Sequence, residues 1–218
     1  MLYQQILEDL EKIPHLKTKD LDSYSKQLIK NGSDVSSLKQ HVLTYPLLHR
    51  IYFQTSLKQL KDTNQQFSFI EENQDLLKDW WHVDQLTQFI KKPIDFEFAY
   101  EKAKNYVQSD KPFTRRWGYV LFLTGLQKDP ETTSQILSLM KNDQEYYVQM
   151  AQAWLICDCA VYNPQEVIQF IKRGSLDYNI LGKAIQKMVD SFRISNQDKE
   201  TVKALRPLVK QKKIVLKL

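Results

Sequence analysis

The chain has 218 residues, a formal net charge of +5, 42% hydrophobic and 26% charged residues, and only 5 glycines. Its length suits one buried core. Glycines this few and scattered exclude the Rossmann and P-loop phosphate cradles and argue against a hairpin-rich β protein.

Helical periodicity runs from the first residues. Leu2, Ile6, Leu10 and Ile13 fall at spacings of three and four on one apolar face. The same segment carries Glu8, Asp9 and Glu11, unlike the basic and apolar regions of a signal peptide. Further apolar stripes predict helices over 47–60, 95–107, 113–127, 145–160, 165–172, 176–192 and 199–209. No stretch alternates with period two, and no apolar run approaches the ~20 residues of a membrane span. The expectation is an all-α chain of about twelve helices, soluble and cytoplasmic.

Pro93, Pro130 and Pro164 are spaced by 37 and 34 residues, and each is expected to open a helix, where its missing N–H costs nothing. At equal offsets behind them lie Trp117, Trp154 and Met188, each in a second helix. A two-helix unit repeated every 35 residues or so predicts an α-solenoid of HEAT type, one domain over 1–218, with a concave face. At this offset both Trp117 and Trp154 could be core, and Trp117 reads so.

Charge is unevenly placed. Residues 1–84 carry net −2, 85–128 net +4 and 129–200 net −3, and the last 18 residues hold six basic side chains and no acid (Lys203, Arg206, Lys210, Lys212, Lys213, Lys217). The central stretch and the tail suit a polyanion. Cys157 and Cys159, two apart in an apolar run, read as buried thiols. The four histidines form no HExxH pattern, so no metal site is expected.

Two motifs carry chemistry. In Asp79-Trp80-Trp81-His82-Val83-Asp84, Trp80 and Asp84 share a helix face, and an aromatic ring beside a carboxylate can hold a cation. Arg115-Arg116 opens an apolar helix in the basic stretch, where an arginine can fork onto phosphate.

Together these segments resemble the AlkD family of DNA alkylation-repair glycosylases, proteins of HEAT-like repeats, over roughly residues 75–206. Trp80 and Asp84 look like the family's Trp-x-x-x-Asp pair, with Trp81 one place off. Arg115-Arg116-Trp117-Gly118-Tyr119-Val120 resembles its Arg-led helix, with Arg116 the better match. Residues 146–154 resemble the helix bearing its second functional tryptophan, here Trp154, and residues 191–195 its C-terminal stretch.

The resemblance implies hydrolysis of the N-glycosidic bond of purines alkylated at N3 or N7. Asp84 would be the catalytic carboxylate, and Trp80, Arg115, Arg116 and Trp154 would contact DNA. It implies a monomer without metal or cofactor, with DNA as partner and no membrane. The family's N-terminal Phe-x-Gly-Ile/Val…Pro-x-x-Arg segment, which engages DNA, has no counterpart between Leu21 and Thr44. Three readings follow: a glycosylase, a non-catalytic relative that binds altered or branched DNA, and a protein-interaction scaffold.

Overall fold

The structure, a computed structural model, describes residues 2–215, excepting the side chains of 212–215. Lys217 and the side chains of Lys212 and Lys213, part of the basic tail, lie outside the described residues. Thirteen α-helices and no strand occur among the described residues, an all-α fold compatible with an α-solenoid. The chain divides into two compact units, Met1–Pro93 and Ile94–Leu218.

The first unit contains α1 (Leu2–Glu11), α2 (Thr18–Lys30), α3 (Pro46–Gln59), α4 (Thr63–Glu72), α5 (Trp80–Asp84) and α6 (Leu86–Phe89). Helix α3 opens on Pro46 and is buried along most of its length, packed against α2 and α6. Leu48, Ile51, Phe53 and Leu57 are fully buried, each contributing about 1.5–3 kcal/mol of burial free energy. Asp62 caps α4 by accepting the Gln65 N–H at 2.8 Å, and Asp79 starts α5 by accepting the Trp80 N–H at 2.6 Å.

The second unit contains α7 (Phe96–Tyr106), α8 (Pro112–Val120), α9 (Thr133–Ser138), α10 (Tyr146–Tyr162), α11 (Pro164–Arg173), α12 (Tyr178–Asp190) and α13 (Asn196–Val215). Helix α10 is apolar nearly all round and forms the centre, packed against α8, α11 and α12, with α13 against α11 and α12. Asp95 caps α7 through the Phe98 N–H at 2.8 Å, and Ser195 caps α13, its Oγ accepting the Asp198 N–H at 3.1 Å.

Several expectations change. The stripe over 113–127 is not one helix. Helix α8 stops at Val120, a 3-10 turn covers Leu121–Thr124, and Gly125 takes a φ of +124°, which a side chain would resist. Leu121 and Phe122 stay buried in that turn, so the apolar pattern continues where the helix does not. Pro93 does not open α7, which begins at Phe96 behind its Asp95 cap. Pro130 opens a 3-10 turn leading into α9, and Pro164 opens α11 as expected. The last helix is longer than the 199–209 stripe and continues through Pro207.

Candidate functional site

Helix α5 is only five residues long, so Trp80 and Asp84 stand at its two ends on one face. Both line an open cleft of about 450 Å³ within the first unit. Thr18 and Leu21 of α2, and Pro46, Leu47 and Arg50 of α3, form its other wall, while Trp81, Gln85 and Gln88 complete the α5 side. The size suits a ligand of nucleotide dimensions. Trp80 is 44% exposed, whereas Trp81 is half-buried, edge-on to His82 at 4.0 Å and to His49 at 5.3 Å.

Those two imidazoles set the floor on which Trp81 rests. They stack with centroids 3.6 Å apart and planes 11° from parallel. His49 Nε2 lies 3.1 Å from the Leu76 carbonyl, which can only accept, so this nitrogen carries the proton. Nδ1 then accepts from the Gln85 amide at 2.9 Å. His82 Nδ1 accepts the Lys78 N–H at 3.1 Å. Both rings are therefore neutral. Burial, then the neighbouring His82, pushes His49 down to about 3, and burial pushes His82 down to about 4 against the opposing pull of Asp79.

Arg50 is the residue that spacing did not disclose. It is buried, and its Nε donates to Asp22 Oδ1 at 2.8 Å. Its terminal nitrogens donate to Gln85 Oε1 at 3.4 Å and Gln88 Oε1 at 3.1 Å, and its guanidinium lies 5.0 Å from the Phe89 ring centroid. Gln85 thus couples Arg50 to His49. The cleft presents the Asp84 carboxylate on walls of apolar and indole surface, with the Arg50–Asp22 ion pair behind them. That arrangement suits a ligand with a positive group, such as an alkylated nucleotide.

The remaining sequence-predicted residues belong to the second unit. Arg116 on α8 is buried and donates to the Tyr147 carbonyl at 2.5 Å. Arg115 grips Asp143 with two bonds, 2.6 Å from Nε and 3.1 Å from a terminal nitrogen. Its other terminal nitrogen donates to the Ser109 and Asp110 carbonyls at 2.9 and 3.0 Å. The Asp143 carboxylate raises the arginine's proton affinity further. Arg115 therefore fastens the α7–α8 connection to the segment before α10. Trp117 is 1% exposed, as expected for core, and Trp154 is 38% exposed. Four residues beyond Trp154, Asp158 is buried and accepts from Gln127 at 3.1 Å and from Arg193. The spacing of Trp80 and Asp84 recurs there, but with the carboxylate in an internal ion pair.

Among the described residues no cluster of His, Cys, Asp or Glu could hold a metal ion. No helix among them is long and apolar enough to cross a membrane.

The family model described as DNA alkylation repair enzyme matches residues 47–190, which include α3 with Arg50, the α5 cleft residues, both arginines of α8 and Trp154. The match begins well before residue 75 and ends before α13. Comparison with curated proteins and with solved structures gives no match. A family match over more than half of the chain settles the kinship: this chain belongs to the DNA alkylation repair enzyme family.

Proposed function

We propose that the protein is a glycosylase of the AlkD type, built of HEAT-like repeats, that hydrolyses the N-glycosidic bond of N3- or N7-alkylated purines in DNA. The observation that carries this reading is that Asp84 and Trp80 line the same open cleft. An alkylated purine is already cationic, so it departs as a neutral base taking the electron pair of the C1′–N bond. Positive charge then builds on the sugar. A carboxylate at Asp84 lowers the energy of that charge, orients a water toward C1′ and accepts its proton. The indole of Trp80 favours the cationic nucleotide before cleavage.

Arg50 holds Asp22, Gln85 and Gln88 in place around this cleft, and Trp154 provides a second aromatic surface for the DNA backbone. The burial of Arg116, bonded to Tyr147, supports a role in shaping the surface around α10 that would meet DNA. Arg115 contributes by holding Asp143.

A second reading is non-catalytic recognition of altered or branched DNA. The missing Gly-Ile/Val…Pro-x-x-Arg segment favours it, because misplacing the lesion by about 1 Å costs on the order of 100-fold in rate. The two separate cleanly. Incubation with DNA carrying 7-methylguanine or 3-methyladenine, followed by chromatography of free base, should show release. Salt-sensitive DNA binding with no release by excess protein over hours establishes the second reading instead.

A further inference from the structure

The second unit carries a basic and aromatic surface that the glycosylase reading does not use. It starts at the N-terminal end of α10, where Tyr146 is 56% exposed and lies edge-on to Tyr147 at 5.3 Å. Lys183 of α12 sits 5.4 Å from the Tyr146 ring centroid and is held there by Gln149 Oε1 at 2.9 Å and the Asn179 carbonyl at 2.8 Å. Lys183, Tyr178 and Arg206 border one hollow of about 300 Å³. Tyr178 and Arg206 also border the next, of about 440 Å³, together with Lys203 and Lys210 of α13. The two hollows therefore join into one groove along α12 and α13.

The groove is built, not merely populated with charge. A Cβ at Gly182 would lie 3.1 Å from the Tyr178 ring, so the missing side chain is what lets that ring lie down across α12. Arg206 is aimed into the groove by donating to Gln186 Oε1 at 2.9 Å. Lys203, Arg206 and Lys210 fall at spacings of three and four on one face of α13, a ladder about 10.5 Å long at 1.5 Å per residue. The acid nearest this ladder in sequence, Glu200, is paired with Lys203 at 2.6 Å. All of α13 lies beyond the segment matched by the family.

We infer that this α10–α12–α13 groove binds single-stranded DNA, its cations tracking the phosphates and Tyr146 and Tyr178 stacking unpaired bases. Cations choose a polyanion. Tyrosine rings beside those cations, Tyr146 being 56% exposed, choose one whose bases are not already paired, which distinguishes a single strand from a duplex or an anionic lipid surface. A strand opened beside a lesion supplies that ligand. The inference does not depend on Asp84.

Fluorescence anisotropy of a labelled oligothymidylate against the full chain, over a salt series, tests it. Each phosphate contact contributes about −0.7 to the slope of log affinity against log salt. Arg206→Gln with Lys210→Gln should flatten the slope by about 1.4. Tyr146→Ala should weaken binding on the order of tenfold and leave the slope unchanged. Both sites are exposed, and circular dichroism is the check that each variant is folded. Unchanged affinity and slope in both variants overturn the inference. So does wild-type protein that ignores the oligothymidylate but binds phosphatidylserine vesicles or blunt duplex alone. Base release from methylated duplex by the wild-type protein is measured in parallel: release without oligothymidylate binding fails the groove alone, and oligothymidylate binding without release fails the glycosylase reading alone.

Discussion

The imidazoles of His49 and His82 lie face to face, 3.6 Å between centroids, and Trp81 of the candidate cleft packs edge-on against both. Each ring is neutral in the folded protein and pushed below the ordinary histidine range, to about 3 and about 4. An unfolded chain takes up these protons near pH 6.5. Between that value and the depressed native ones the unfolded state binds more protons, so stability falls as pH falls. Urea denaturation over a pH series should show constant stability from these groups above about pH 6.5 and a decline below it, up to about 1.4 kcal/mol per pH unit for His49. His82→Phe keeps an aromatic ring in the stack and removes one titrating group. Its decline should be shallower, and an identical slope would sink this explanation.

Arg50 joins α2, α3 and the residues after α5 through Asp22, Gln85 and Gln88. Arg50→Met keeps most of the volume but leaves those three side chains without their donor. The expected loss is about 2 kcal/mol in urea denaturation, typical of hydrogen bonds to a charged group. DNA affinity should fall as well, because Gln85 and Gln88 on the cleft wall lose their anchor. A variant as stable as wild type with unaltered affinity contradicts the role assigned to this guanidinium.

The tryptophans should separate by method. Trp117→Ala removes a side chain 1% exposed and should cost about 3–5 kcal/mol of stability. Trp80→Ala removes one 44% exposed and should change stability by less than about 0.5 kcal/mol while weakening DNA binding. Denaturation and anisotropy on the two variants check both halves.

Much of this was legible in the chain. The helical class follows from the periodicity, and the fates of Trp117 and Trp154 follow from their repeat offset and the resemblance. The Trp80–Asp84 pairing is local, set by one turn of helix. Arg50 was not legible because its partners lie 28, 35 and 38 residues away, and no local pattern announces such a network. The break after Val120 was hidden because a 3-10 turn can bury Leu121 and Phe122 as well as a helix can. Arg115 misleads for a related reason. A basic pair in a basic stretch looks solvent-facing until Asp143, distant in sequence, is brought against it.

That ion pair gives a further test. Arg115→Lys keeps the charge but loses the fork, and its two bonds to Asp143 become one at best. Stability should drop by about 1–3 kcal/mol. In Arg115→Gln, which removes the charge, the salt slope of DNA binding should stay at the wild-type value, since this guanidinium is committed internally. A slope shallower by nearly one phosphate contact would instead place Arg115 on the DNA.

The most direct measurement is the single-turnover rate of 7-methylguanine release from methylated duplex DNA, compared between wild type and Asp84→Asn. The near-isosteric amide keeps the cleft but removes the negative charge. Release by wild type with at least a ~100-fold slower rate in Asp84→Asn is the expected result. Equal rates in the two proteins, or no release by wild type at excess enzyme, would contradict Asp84 as the carboxylate that stabilises the developing sugar cation.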